Sequence, residues 1–295
     1  MANTLRDSPA GGARPRRSTH QAKMPARARS TPGRRARRRA RSRRLLVPVV
    51  LVGIVAAVIV GFVASSLTSG STTTAGEGAA PTAVVNEVTG VPLKVLAQVG
   101  ESRQATALQP VRDGSPLNID GKTGIVFVSE ETCPFCAAER WPVVIALSHF
   151  GTWHHLGATT SSSTDVYPNT ATFSFRRATF DSPDLALRTT ELANNAGRPL
   201  QPVTALDTEL INHYDVPPYV NGADQSGAVP FLDIDNHEVL AGAQYNPQIL
   251  AGLSMSQIAA QLDIPASPVA MAIDESAGAL IAAIDQALHL GSSRG

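Results

Sequence analysis

The sequence predicts a mixed α/β domain joined to one membrane-spanning helix, and three observations carry that prediction. Leu45–Leu67 is an uncharged run of twenty-three residues, long enough to cross a bilayer. Gly124–Ser129 is a short apolar segment rich in β-branched residues, and it leads into a helical pattern that opens at Cys133. A second helical pattern with regular apolar spacing closes the chain after Ser267.

The N-terminal elements follow from charge. Residues 1–44 hold fifteen Lys and Arg against one acid, Asp7, a net charge of +14, whereas the remainder of the chain carries −13. Two environments, rather than one uniform globule, account for such asymmetry. The tail over 1–44 has no Phe, Trp or Tyr to stack on bases. It reads as a disordered cytoplasmic segment touching the inner leaflet, not as a nucleic-acid binder. At 1.5 Å per residue Leu45–Leu67 spans about 34 Å. Eight arginines between Arg34 and Arg44 precede it, and the next charge after it is Glu77. The positive-inside rule thus places the N-terminus in the cytoplasm and the rest outside, as a single-pass membrane protein. A cleaved signal peptide is the alternative, and the length of the run favours an uncleaved anchor. Residues 68–90, rich in Ser, Thr, Gly and Ala, read as a flexible linker. The folded domain is expected over 91–291.

Within it, Pro92–Val99 reads as a strand and Gly124–Ser129 as a strand buried on both faces. Cys133–Phe150 reads as a mostly buried helix, with Pro134 at its first position and Pro142 inside. Trp153–Thr159 and Thr170–Phe180 are strand candidates, and Asp207–Tyr214 is a short helix. Val229–Asp235 and Glu238–Ala243 read as a hairpin through Asn236 and His237. Ser254 and Gln257 make a capping box. Ser267 and Pro268 then open a last helix, which carries Ile273, Ala277, Leu280, Ile284 and Leu288 on one stripe and closes at Gly291.

Only two cysteines occur, Cys133 and Cys136, which excludes a disulfide-stapled scaffold. Thiol–disulfide exchange needs a thiolate that attacks and a second thiol that resolves the mixed disulfide. At the start of a helix, Cys133 sits exposed at the cap and Cys136 is shielded one turn further in. The first-turn N–H groups and the helix macrodipole favour a thiolate at Cys133. Pro134 and Phe135 occupy the dipeptide that tunes it. Glu130 and Glu131 read as solvated loop carboxylates, and Trp141 as core. A metal site on both cysteines with His154 and His155 is disfavoured, because neighbouring residues on a strand point to opposite faces. The non-enzymatic alternative is a membrane-tethered binding or assembly module in which the pair is a static disulfide. So small a loop closes little chain entropy, which favours the redox reading.

The order of strand, Thr132-Cys133-Pro134-Phe135-Cys136, helix, and a later Val229-Pro230 step before a strand resembles the thioredoxin-like superfamily. The Cys-Pro-aromatic-Cys form is similar to glutaredoxins and secreted disulfide oxidoreductases. With the basic tail, the single span and the continuation Cys136-Ala-Ala-Glu-Arg-Trp141, the chain resembles a domain-of-unknown-function family of membrane-anchored bacterial thioredoxin-like proteins. The resemblance implies a thioredoxin-like fold and a cis-proline, Pro230, facing the pair. It implies catalytic roles for Cys133, Cys136 and Pro230, with no cofactor and no metal. The implied partners are a cysteine-containing extracytoplasmic protein or small thiol as substrate, and a separate redox partner. Thioredoxin itself has Gly-Pro between its cysteines and a Trp before them, where this chain has Pro-Phe and Thr132. The ninety-four positions from Cys136 to Pro230 require an insertion, expected to be helical or irregular.

Overall fold

The computed structural model describes residues 78–98, 106–112, 114–220 and 226–292. The basic tail over 1–44, the apolar span over 45–67 and residues 68–77 of the expected linker lie outside the described residues. No helix among those described is long and apolar enough to cross a membrane.

The described residues form a mixed α/β fold. The chain begins with β1 (Gly78–Ala79), α1 (Thr82–Thr89), α2 (Leu93–Leu96), β2 (Gln109–Pro110) and β3 (Asn118–Ile119). Next come β4 (Lys122–Ser129), α3 (Pro134–Ser148), β5 (Thr152–His154), β6 (Gly157–Thr160), β7 (Ala171–Ser174), β8 (Thr179–Asp181) and β9 (Leu185–Glu191). The last part holds α4 (Ala205–Tyr214), β10 (Phe231–Ile234), β11 (Glu238–Ala241), α5 (Met255–Leu262) and α6 (Pro268–Ser292).

β4 is the centre of the main sheet. It runs parallel to β9 over its length, from Thr123 opposite Leu185 to Ser129 opposite Glu191. It runs antiparallel to β10, with Phe231 opposite Val128 and Ile234 opposite Ile125. The β10–β11 hairpin continues the sheet, and β2 adds to its edge. Thr123 pairs at once with Leu185 and with Asn118, so β3 occupies the same edge of β4 as β10. Gly124–Ser129 is buried throughout, the burial on both faces expected of a short continuous apolar run.

The two faces of β4 bury different layers, because side chains alternate along a strand. Ile125 and Phe127 join the larger core with Trp141, Ile145, Phe173, Ile273 and Ile284, so α3 and α6 lie on that face. Val126 and Val128 join Phe231, Val239, Leu210 and Tyr214 under α4 on the other. Trp141 is fully buried, as expected, and its ring meets Phe173 edge-on with centroids 4.9 Å apart.

Four sequence expectations need correction. Residues 78–90 are not wholly linker: β1 pairs with β6, and α1 buries Val84 and Val88, one turn apart. The Ala- and Thr-rich flanks masked this single apolar stripe. Leu93–Leu96 is a helical turn, not a strand; so short an apolar run fits either period. The segment between Cys136 and Pro230 holds five strands, β5 to β9, besides the expected helical and irregular parts. β6 and β7 pair antiparallel, as do β5 and β8, and among its described residues α4 is the helix that follows α3. Finally, β9 was not anticipated, because Leu185–Glu191 mixes Leu with Arg188, two threonines and Glu191 and shows no apolar run.

Candidate functional site

The two cysteines stand where β4 hands over to α3. Cys133 is the N-cap of α3 and has extended backbone geometry. Its sulfur accepts the Cys136 N–H at 3.3 Å, which satisfies one of the orphan donors of the first turn. Pro134 follows at the first helical position, where its missing N–H costs nothing. The Cys133 thiol also approaches the carbonyl of Val229 at 3.5 Å, across ninety-six positions of chain. The bond between Val229 and Pro230 is cis. Cys133, Cys136 and the Val229–Pro230 step therefore form one cluster at the ends of β4 and α3 and the start of β10.

The two thiols differ in environment. Cys133 is partly exposed and Cys136 fully buried, and neither is in a disulfide. The Cys133 pKa is lowered, chiefly by its hydrogen bond with the Cys136 side chain. The N–H groups of Cys136 and Phe135 and the charge of Arg140 act in the same direction, against burial. Burial foremost, and then the bond to Cys133, push the Cys136 thiol well above the ordinary value. The Cys133 thiol therefore ionises more readily than an ordinary cysteine, and the Cys136 thiol less readily. Cys136 Sγ also accepts the Glu130 N–H at 3.4 Å. Phe135 is exposed at the mouth of the site, its ring edge-to-face with Tyr167 at 6.0 Å.

Beneath the dithiol lies a layer of buried polar groups that the sequence reading did not find. Arg140, one turn beyond Cys136, is fully buried and held in a fork by Glu191: Nε to Oε1 at 3.0 Å and Nη2 to Oε2 at 2.6 Å. Ser129 donates to Glu191 at 3.1 Å and accepts from Arg140 at 3.3 Å. Burial, the largest single influence, disfavours the Arg140 cation, but the charges of Glu191, Cys136 and Glu131 and the hydrogen bond to Glu191 together outweigh it and raise the pKa. Glu131 is buried, not solvated as expected, and accepts the hydroxyls of Ser174 and Thr159. Only Glu130 remains half-exposed, its pKa raised by burial and then by Glu191. The signal available in the sequence was weak: charged residues at positions 139 and 140 inside an otherwise apolar helix.

Glu139 is also fully buried. Its Oε2 accepts the Gln244 N–H at 2.9 Å, its Oε1 has no partner among the described residues, and burial raises its pKa to about 8. Pro142 lacks the N–H that would bond Ala138 O one turn back. The Tyr245 hydroxyl donates to that carbonyl instead, at 2.7 Å. The helix that carries the cysteines is therefore pinned to the loop after β11 at two adjacent residues. Among the described residues no three His, Cys, Asp or Glu side chains converge as a metal centre. His154 lies with Nε2 3.1 Å from the Asp181 carboxylate.

Fold and site together define a mixed α/β protein presenting a free Cys-x-x-Cys pair at a helix N-terminus. Residues 112–286, more than half of the chain and including the cysteines and Pro230, match the family model described as Domain of unknown function (DUF929), and the chain belongs to that family. No curated protein and no solved structure matches it.

Proposed function

We propose that this chain is a thioredoxin-like thiol–disulfide oxidoreductase, held outside the cell membrane by Leu45–Leu67 and acting through Cys133 and Cys136. The observation that carries the reading is the placement of the Cys133 sulfur at a helix cap, 3.5 Å from Val229 O beside Pro230. It is supported by the arrangement around it, with β4, the strand that leads into the cysteine pair, between a parallel neighbour and an antiparallel strand that follows Pro230. The lowered Cys133 pKa and raised Cys136 pKa support attack by the first and resolution by the second.

In the reducing direction the Cys133 thiolate attacks one sulfur of a client disulfide. The client S–S bond breaks, a Cys133–client disulfide forms, and the departing client thiolate takes a proton. Cys136 then loses its proton and attacks the Cys133 sulfur, releasing the second client thiol. The client gains two electrons, and the protein is left with a Cys133–Cys136 disulfide. A partner dithiol reduces that disulfide, becoming a disulfide itself. Oxidation of a client dithiol is the same sequence reversed. No cofactor is needed at any step.

The test is trapping. Cys136→Ser in the full chain should accumulate a mixed disulfide with a client or a model disulfide, and Cys133→Ser should form none. The wild-type pair should equilibrate with a dithiothreitol or glutathione series at a potential between about −120 and −300 mV. A pair reducible only on unfolding would overturn the proposal and leave a static disulfide in a tethered module.

A further inference from the structure

We infer that the cleft beside Thr132 is a client subsite that selects an uncharged polar stretch of polypeptide next to the target cysteine, an inference that rests on the exchange reading above. Thr132 immediately precedes the attacking Cys133 and forms one wall of a cleft of about 500 Å³. Its other walls come from the end of β6 with the loop after it, and from the turn over Asn195–Gly197. That size falls within the range of small-ligand sites. The loop is tied to the motif, since Ser162 N donates to Thr132 O at 2.9 Å and Asn169 N to Ser162 O at 3.1 Å. A chain lying in the cleft would thereby rest against the residue that precedes Cys133.

The lining decides the chemistry. No charged side chain lines the cleft. Thr132, Thr160, Ser163, Asn169 and Asn195 line it, and their side chains make no hydrogen bond among the described residues. Hydroxyl and amide groups offer both donors and acceptors, so they can match a client backbone and short neutral polar side chains. A carboxylate or ammonium brought here would lose water and find no counter-charge, which disfavours it. The same argument disfavours small thiols that carry carboxylates. Selection then works by leaving the wrong client's charge unpaired. The exposed Phe135 ring, edge-on to Tyr167 of the same loop, adds an apolar surface near the sulfur.

The experiment uses the full chain in mild detergent and peptides whose single cysteine is linked to one common reporter thiol. Ser/Asn/Thr, Glu or Lys residues flank that cysteine, and dithiothreitol regenerates the protein dithiol. Each kcat/KM is divided by the same peptide's uncatalysed rate with dithiothreitol. The neutral peptide should exceed both charged ones by about 3- to 10-fold. Asn195→Asp should shift the ratio towards the Lys peptide, and Asn195→Lys should shift it towards the Glu peptide, each by a similar factor. The readout is a ratio within one variant, so it does not depend on how much of that variant folds. Turnover with equal normalised rates for the three peptides, or ratios that ignore both substitutions, overturns the cleft and leaves the redox reading standing. A Cys133–Cys136 pair that fails to exchange with dithiothreitol overturns both.

Discussion

Glu139→Gln is the perturbation whose energetic consequence is most fully determined by the structure. The side chain is fully buried on α3, one oxygen bound to Gln244 N–H and the other without a partner among the described residues. Burial raises its pKa from 4.5 to about 8. Below pH 4.5 both the folded and the unfolded chain keep the proton, and the neutral carboxyl's contribution to stability is fully present. Between 4.5 and 8 the unfolded chain releases the proton while the folded chain retains it. Stability therefore falls with rising pH by about 1.4 kcal/mol per unit, up to about 5 kcal/mol across the window, and flattens once pH passes the folded value. Asp233, buried under α4, acts with the same sign, but its pKa of about 7 closes its window one unit earlier. Asp215 and Asp274, raised to about 7 by burial, act likewise, and subtracting wild type from Glu139→Gln removes these shared contributions. Gln keeps an oxygen for Gln244 N–H and cannot ionise. Urea unfolding of the full chain, followed by fluorescence of the buried Trp141 and Trp153, gives stability at each pH. The difference between Glu139→Gln and wild type should rise by about 1 kcal/mol or more from pH 7 to 8, and by roughly 3–5 kcal/mol from pH 5 to 8.5. A difference that stays constant over that range would refute the argument.

Three further outcomes follow from the same geometry. Iodoacetamide labelling should modify Cys133 with a pH midpoint below the ordinary 9.0 and spare Cys136 until the chain unfolds; equal labelling of both would remove the assigned asymmetry. Arg140→Met leaves Glu191 buried without its cation and should cost about 3–5 kcal/mol in urea unfolding, most of it recovered in Arg140→Met/Glu191→Leu. The double variant should also label at Cys133 with a higher midpoint than wild type, because the Arg140 charge that lowers the Cys133 pKa is gone. Gly124→Ala would place a Cβ 2.7 Å from both Leu117 Cγ and Leu117 O, and a thermal melt should show a loss of about 1–3 kcal/mol.

The parts of this fold legible in the sequence are those whose signal is local. The buried strand over Gly124–Ser129 shows in a continuous apolar run, and α3 shows in a cap followed by proline at the first helical position. The capping box of Ser254 and Gln257 and the opening of α6 at Pro268 are of the same kind. The β10–β11 hairpin was legible from its two apolar runs, although both strands are shorter than expected. What stayed hidden depends on distant partners. β9 looks polar because Thr190 bonds Asp207 on the α4 side and Glu191 bonds Arg140 on the α3 side. Both are inward-facing polar residues that only tertiary partners make tolerable. Glu131 was misread for the same reason, since Ser174 and Thr159, which hold it, lie far along the chain. At the site, Cys133, Cys136 and Pro230 were legible from motif and order, but the charged layer beneath them was not.

That layer links sheet register to thiol chemistry. Ser129 and Glu191 are direct partners across the parallel β4–β9 pair, and both bond the Arg140 guanidinium. A slip of β9 by one residue would turn Glu191 to the opposite face, because side chains alternate along a strand. Thr190 or Leu192 would then face Arg140, and neither can balance a buried cation. Arg140 in turn is one of the groups that lower the Cys133 pKa, acting from its fixed place seven residues along the same helix. The cation cannot turn away from the dithiol without breaking its fork to Glu191, whose place opposite Ser129 is set by the pairing of the central strand. The charge near the thiols is therefore set by the rigid part of the molecule, the β4–β9 pair and the start of α3. The polar cleft beside Thr132 is lined mostly by loops, so a client bound there, as proposed, would leave that charge undisturbed.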